Sequence, residues 1–497
     1  MELFKLLLHL EHDVIQGSTR REIGKVTNDT RKIEAKDVFV CIKGCRRDGH
    51  DLVNEAIEKG VAALVIERNI YVSIPPDITI IQVPDTRYAL SILTAAYYGY
   101  PAEKLRMIGI TGTKGKSTVA CMIHQILNYT GRKAGLIGTI RVDTGKQIYK
   151  NQNTTPDSEV LQYYLNEMVE AGCEFAVMEV SSQGLKLDRV AGIAFEIGVF
   201  TNLEEDHIGP NEHADFEEYL ICKKKLFERC RIGIGNVDDP YYSRMFANTA
   251  YRKITYGIEG MEADYLAKAI ETTSCNQVYG IRFICIENTR TQNKNIQQIN
   301  LNIPGEFNVY NSLAVIAVLR YFDIPFQQIA DGMEGVKIPG RLEEAGGLKD
   351  CKLYIDYAHN AMSLRTVLLT IRKYEPKRIV LVFGCGGNRA RERRFSMGRV
   401  AGEYADFVII TTDNPRYESP DSIIKDIEKG LKKTKGNYKI ISDRKEAVRY
   451  AVEHRQPGDV ILIAGKGHET YQEIKGVRYE LDDRQLVKEA CSGLGNE

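Results

Sequence analysis

Residues Ile108 to Thr118 read IGITGTKGKST, an apolar strand running into a glycine-rich turn and then a helix, and no other segment limits the fold as tightly. Glycines in such a turn let backbone amides close on phosphate oxygens, and the helix N-terminus adds partial positive charge. Lys116 can reach terminal phosphates and the Ser117 hydroxyl can ligand magnesium. The segment therefore predicts ATP binding by Gly112, Thr113, Lys114, Gly115, Lys116, Ser117 and Thr118. Its spacing is not the usual one, because Ile110 stands where a phosphate loop normally places its first glycine, and Gly109 lies one residue earlier. An ordinary glycine-rich connection is the competing reading, and Gly-Lys-Ser between strand and helix weighs against it.

A strand-loop-helix unit of this kind belongs in a parallel α/β sheet, and apolar runs at Ala134 to Ile137, Phe175 to Val180 and Gly198 to Thr201 supply further strands. At 497 residues the chain is too long for one core. Short strand-like runs at Val38 to Ile42, Ala62 to Ile66 and Thr79 to Val83 precede a break at Gly99-Tyr100-Pro101. A last section begins around Pro339-Gly340-Arg341. The expectation is an α/β protein of three domains: residues 1–100, residues 101–335 around the phosphate loop, and residues 336–497, Rossmann-like. The last carries strands Arg378 to Phe383, Phe407 to Thr411 and Val460 to Ala464. Each runs into a polar loop bearing Gly or Pro, and ligands gather at the carboxyl ends of such strands.

Lys+Arg and Asp+Glu both number 67, so no global field favours nucleic acid or an anionic membrane. The apolar run Leu6 to Leu8 is flanked by acids and reads as neither signal peptide nor span. Eleven cysteines without metal spacing fit reduced thiols in a cytoplasmic protein.

Glu179 ends one central strand, and Asn202-Leu203-Glu204-Glu205-Asp206-His207 follows another. An acid and a histidine there could hold Mg2+ beside the phosphate loop; alone, Glu179 reads equally well as a strand-end polar residue, and His207 reads more readily as a surface or satisfied histidine. Within Phe216 to Phe227, Leu220, Lys223 and Phe227 fall within about 40° of Phe216 at 100° per residue, whereas Lys224 and Lys225 rotate away. Lys223 thus points inward, where an ammonium needs compensation unless its stem snorkels outward.

The loop TGTKGKST together with these motifs resembles the Mur ligase family, and the resemblance extends over nearly the whole chain. It implies an ATP-dependent ligase that acts on a UDP-N-acetylmuramoyl peptide in peptidoglycan synthesis. Asn28-Asp29-Thr30-Arg31 resembles the family's uridine-diphosphate entry, with Thr30 in place of the usual serine. Asn153, Thr154 and Thr155, with Ser182 and Arg189, resemble its muramoyl-peptide site. Asn308 and Asn311 resemble the adenine-side motif, and Arg341, Asp356 and His359 the nucleotide contacts that open the third domain. The match EYLICK implies that Lys223 is carbamylated and ligates magnesium with Glu179 and His207. Two departures stand out. The loop His207 to Tyr219 is about two residues longer than the common form, and Asn360-Ala361-Met362 replaces the usual continuation of Asp-Tyr-Ala-His.

Arg389, Asp413, Asn414, Arg416, Gly465 and Glu469 form the candidate amino-acid site. meso-Diaminopimelate carries a distal carboxylate that a guanidinium binds bidentately and a distal ammonium that an acid can take, whereas L-lysine has no need of Arg416. A loop arginine paired with a neighbouring acid is the plainer alternative for Arg416. The resemblance implies catalysis by Lys116, Lys223, His207 and Arg341 through an acyl phosphate, in a monomer acting on small molecules without nucleic acid or membrane insertion. L-Lysine or another acceptor, a folylpolyglutamate-synthetase-like ligase, and a non-catalytic nucleotide-binding relative are the rival readings.

Overall fold

A computed structural model describes residues 1–44, 47–151, 153–206, 208–209, 212–247, 249, 252–260, 262–275, 278–288, 294–346 and 348–493. Its contacts divide the chain into two units, Met1–Asp264 with Ala314–Ile324, and Tyr265–Leu313 with Pro325–Glu497.

The first unit opens with strands β1 (Asp13–Gln16), β2 (Val26–Thr27), β3 (Val38–Val40), β4 (Ala63–Ile66) and β5 (Thr79–Gln82). They lie in the order β1-β5-β4-β3-β2, with β1 antiparallel and the rest parallel. A second sheet contains β6 (Arg106–Thr111), β7 (Ala134–Ile137), β8 (Val142–Asp143), β9 (Ile148–Tyr149), β10 (Phe175–Glu179), β11 (Phe195–Phe200), β12 (Cys230–Asn236) and β13 (Arg252–Gly257) among its strands. Within it β12, β11, β6, β10 and β7 are parallel neighbours. The phosphate-loop strand β6 is therefore central, and its residues from Met107 to Thr111 are all buried, as expected where helices cover both faces of a sheet. Gly109 is needed there: a Cβ would stand 2.9 Å from the Phe195 ring.

The apolar run that predicts β11 starts at Gly198, but the strand begins at Phe195. Glu196 is half-buried and lies 3.9 Å from Arg106, so an acid interrupts the apolar run without ending the strand. The run Val38 to Ile42 is a strand only to Val40, because the Ile42 carbonyl instead accepts the Gly49 amide in the loop that follows.

The second unit contains three long antiparallel strands, β14 (Tyr265–Cys275), β15 (Val278–Asn288) and β16 (Lys294–Leu301). Hydrophobic patterning does not announce them, since polar stretches such as Glu271-Thr272-Thr273 and Gln297-Gln298 break the apolar runs. A six-stranded sheet follows: β17 (Glu343–Glu344), β18 (Lys352–Asp356), β19 (Arg378–Phe383), β20 (Phe407–Ile410), β21 (Asn437–Ile440) and β22 (Asp459–Ala464), in the order β17-β18-β22-β19-β20-β21. All pairs but β17-β18 are parallel. The three anticipated strands form its centre. The edge strand β21 is mostly exposed and polar in sequence, so it carries no apolar signal. Leu353, Ile355, Val380, Val382, Ile461 and Ile463 face one core, and Tyr354, Leu381, Phe383 and Leu462 the other. A hairpin of β23 (Tyr471–Ile474) and β24 (Val477–Glu480) completes the unit. Nine described cysteines are free thiols, and no described helix is long and apolar enough to cross a membrane.

Candidate active site

The helix Lys116–Tyr129 starts directly at the glycine turn, with Gly115 at its N-cap in a left-handed conformation (φ +84°). Gly112 has φ +147°, and a Cβ on it would come within 2.0 Å of Thr201 Oγ1, so both glycines are required by backbone geometry. The Lys116 ammonium donates to the Gly112 and Thr113 carbonyls at 2.8 and 2.9 Å. Asn202, at the end of β11, accepts the Lys114 amide at 2.9 Å, and Glu204 pairs with the Lys114 side chain at 2.6 Å. Thr113 Oγ1 meets the Tyr219 hydroxyl at 3.0 Å. Thr118 is buried in the first helical turn.

Glu179 ends β10, the neighbour of β6. Its carboxylate accepts the Ser117 hydroxyl at 2.9 Å, the Thr139 amide at 2.7 Å and the Thr139 hydroxyl at 3.2 Å. The helix Phe216–Lys224 is capped by Asp215, which accepts the Glu218 amide, and it carries acids in its first turn and lysines in its last, the arrangement a helix dipole favours. Lys223 is 1% exposed, as the periodicity requires. Its ammonium donates to the Gly112 carbonyl at 2.7 Å and lies 4.5 Å from the centre of the Tyr219 ring. Burial, reinforced by the Lys116 cation and only partly opposed by Asp206, holds the Lys223 amine well below the ordinary lysine range. Lys116, Ser117 and Lys223 thus gather at the phosphate loop, and Glu179 joins them through Ser117. His207 lies outside the described residues.

Of the residues expected to serve the muramoyl peptide, Thr154 and Thr155 border this group through Thr139 and Glu179. Thr154 and Thr139 share a hydroxyl contact of 2.9 Å. Thr155 donates to the Glu179 carbonyl at 2.9 Å and accepts the Ser181 amide at 3.0 Å. Arg189 donates to the Thr155 carbonyl at 2.8 Å and pairs with Asp157 at 2.8 Å. Ser182 is buried at the start of the helix Ser182–Lys186, while Asn153 is exposed. Thr30 is buried in the N-terminal sheet region, where its carbonyl accepts Lys59 at 2.7 Å.

In the second unit Asn308 and Asn311 are buried near the start of the helix Phe307–Tyr321, joined by a 2.9 Å hydrogen bond, and Asn308 donates to the Pro304 carbonyl. The Arg341 guanidinium lies 4.7 Å over the Tyr357 ring. The Asp356 carboxylate accepts the Leu342 and Ala358 amides at 2.7 and 2.8 Å; burial raises its pKa against the opposing Arg341 charge. His359 is held to the Tyr357 carbonyl at 2.9 Å.

The loops after β19, β20 and β22 meet, because these strands are adjacent in the order β22-β19-β20. The Gly387 amide donates to the Asn414 carbonyl, and Gly465 (φ +110°) lies where a Cβ would be 2.7 Å from Asp413 Oδ2. Asn414 donates to Glu469 at 2.9 Å. Arg416, itself left-handed at φ +52°, donates to the Gly387 carbonyl at 2.7 Å and stands 3.4 Å from Glu473, so it does have a neighbouring acid. Arg389 is exposed at the edge of this group. Burial raises the pKa of Glu469, with Lys466 opposing and Asp413 reinforcing. No sequence motif points to Thr139 or Glu473 as members of these clusters, while Tyr219 lies within the EYLICK match and Lys466 within the loop after β22 without either being marked out by its residue type.

Three family profiles match in sequence: "Mur ligase family, catalytic domain" at residues 22–98, "Mur ligase middle domain" at 110–319 and "Mur ligase, glutamate ligase domain" at 340–467. A Clostridium perfringens relative named UDP-N-acetylmuramoyl-L-alanyl-D-glutamate--2,6-diaminopimelate ligase is 42% identical, covering 99% of this chain and 100% of its own. One of the same name from Caldanaerobacter subterraneus is 41% identical over 98% of each. A solved structure of an enzyme so named superposes with a TM-score of 0.71 at 27% identity, covering 100% of this chain and 99% of its own. With its phosphate loop, buried lysine and strand-end loops in place and relatives aligned from end to end, the chain belongs to the Mur ligase family.

Proposed function

We propose that the protein is an ATP-dependent ligase that adds meso-diaminopimelate to UDP-N-acetylmuramoyl-L-alanyl-D-glutamate, as the names of its relatives describe for them. The observation that carries the acceptor assignment is the gathering of the Arg416 guanidinium and the Glu469 carboxylate in one cluster of strand-end loops. Opposite charges so placed suit a side chain ending in both a carboxylate and an ammonium. Residues 1–100 serve the uridine-linked substrate, 101–335 ATP and 336–497 the amino acid, in a cytoplasmic monomer.

The reaction has two steps. The peptide's terminal carboxylate attacks the γ-phosphorus of ATP, giving an acyl phosphate and ADP; the acceptor amine then attacks the acyl carbon, forming the amide and releasing phosphate and a proton. Lys116 and Arg341 carry the charge that develops on the transferring phosphoryl group. Thr154, Thr155, Ser182 and Arg189 hold the muramoyl peptide, Thr30 its uridine-linked end, and Asn308, Asn311, Asp356 and His359 the nucleotide.

Ser117, Glu179, His207 and Lys223 are the residues that would hold magnesium. The buried Glu179 carboxylate and the Ser117 hydroxyl suit it; a lysine ammonium does not, and a carbamate does. Burial lowers the pKa of the Lys223 amine and so favours the neutral form, which combines with carbon dioxide to give a carbamate anion and a proton. Bound magnesium would supply positive charge to the phosphates. Carbon-13 NMR of protein equilibrated with labelled bicarbonate should show a carbamate resonance that Lys223→Ala removes; the same resonance in that variant would refute the assignment.

The function is tested by ATP-dependent phosphate release with UDP-N-acetylmuramoyl-L-alanyl-D-glutamate and meso-diaminopimelate, L-lysine or no amino acid. Release only with meso-diaminopimelate is expected. Release with L-lysine would keep the ligase and overturn the role given to Arg416, and silence with both would overturn the ligase reading.

A further inference from the structure

Lys466 is the second residue after β22 and is flanked by Gly465 and Gly467, a setting in which a lysine normally reaches solvent. It is instead 0% exposed. Its ammonium lies 3.1 Å from Asn414 Oδ1, 3.5 Å from Glu469 Oε2 and 5.6 Å from the centre of the Tyr471 ring. A fully buried ammonium is costly unless its partners are fixed and charged. Here they are two residues of the proposed acceptor site.

Asn414 is satisfied on both sides of its amide. Its oxygen accepts Lys466 and, at 3.0 Å, the backbone amide of Glu473, and its nitrogen donates to Glu469 Oε2 at 2.9 Å. A cation at the oxygen leaves only one orientation of the amide, with the NH2 group toward Glu469. Both of these contacts to Glu469 fall on Oε2, so Oε1 is the oxygen left to meet an incoming cation. Asp413 lies close enough to repel the Glu469 carboxylate, and Lys466 offsets that repulsion.

We propose that Lys466 is a positioning residue for the acceptor: it locks the Asn414 amide and anchors Glu469 by Oε2, so that Oε1 is presented to the side-chain ammonium of a diamino acid. This rests on the reading that the Asn414, Arg416 and Glu469 loops hold the acceptor, and it predicts a selective defect. Acceptor binding should suffer while the nucleotide and the uridine-linked substrate, held elsewhere, bind as before.

The test compares wild type, Lys466→Met, Lys466→Arg, Glu469→Gln and the Lys466→Met/Glu469→Gln double variant by phosphate release. Each substrate is varied in turn, with thermal melting as a check on folding. Truncating one partner of a buried hydrogen-bonded charge pair typically weakens binding strongly. Lys466→Met should therefore raise KM for meso-diaminopimelate by about tenfold or more while the KM values for ATP and the uridine-linked substrate stay within about twofold. Lys466→Arg keeps the charge but displaces the donor, so its rise in the same KM should be smaller and equally selective. The double variant should be no worse than Glu469→Gln alone, the non-additivity of residues acting through one another. Equal increases in all three KM values, or additive losses in the double variant, would overturn the proposal. If Lys466→Met melts too low to assay, Lys466→Arg decides: a selective rise supports the role, and an unchanged KM for the acceptor overturns it. Should wild type use L-lysine rather than meso-diaminopimelate, the functional reading changes but the same comparison with L-lysine still decides the role of Lys466. If wild type turns over neither, both readings fall.

Discussion

At the level of single residues, the phosphate loop concentrates two lysines on one carbonyl. Lys116 and Lys223 both donate to the Gly112 carbonyl, yet the roles proposed for them separate: Lys116 is the cation for phosphate, whereas burial holds the Lys223 amine well below the ordinary lysine range. Lys116→Met should lower kcat/KM for ATP by about a hundredfold to a thousandfold, the usual cost of removing a charge-stabilising donor. Its melting temperature should be little changed; a variant with near-normal turnover would remove Lys116 from the chemistry. On the next turns of the same helix His124 is buried 3.6 Å from Asp143. Burial, only partly opposed by Asp143, pushes its pKa down from 6.5 to about 4. The folded-state value lies below the unfolded one, so this contribution to stability is present above pH 6.5 and is lost as pH falls toward 4. His124→Gln should flatten the acid limb of a melting-temperature profile, and an unchanged slope would show that His124 does not govern it. Lys223 is legible in the sequence because the helical period alone fixes which way its side chain turns. Lys466 is not, because a lysine between two loop glycines carries no period and its burial depends on Asn414, 52 residues earlier in the chain.

Between elements, the same contrast decides what the sequence discloses. The strands β6, β7, β10, β19 and β22 are central and nearly continuous in apolar residues, so they can be read almost to their ends. The strands β14, β15 and β16 pair antiparallel and carry many polar, partly exposed residues, so no apolar run announces them. The residues of the phosphate loop and of the three strand-end loops stand out because they are local in sequence; their contacts with Thr139 and Glu473 come from elsewhere in the chain. A further link invisible to patterning joins the helices Arg444–Glu453 and Asp483–Gly493. Arg444 and Asp483 form a fully buried two-point pair at 2.7 Å, and Arg444 also donates to the Ala464 carbonyl at the end of β22. Arg444→Met strands the Asp483 carboxylate and should cost about 3–5 kcal/mol in urea unfolding, whereas Arg444→Met with Asp483→Leu should cost much less. Equal losses in the two variants would mean that packing, not charge, is what the pair contributes.

Over the whole molecule, residues 336–497 enclose a complete six-stranded sheet with a core on each face. A fragment of these residues should unfold cooperatively by itself, followed by circular dichroism. Its melting point should lie below that of the same residues extended to include 265–335, since Tyr279 stacks on Tyr374 at 4.3 Å and packs against Tyr354 at 6.0 Å. A fragment without a cooperative transition would show that the domain limit was drawn in the wrong place. The loops after β19, β20 and β22 hang from the carboxyl ends of strands whose side chains are already committed to the two cores. Heritable changes in those loops therefore meet little resistance from the sheet beneath them. On the proposed assignment of these loops to the acceptor, a lineage could exchange one amino acid for another by loop substitution alone, and the composition of its cell wall could drift while the scaffold that makes it stays the same.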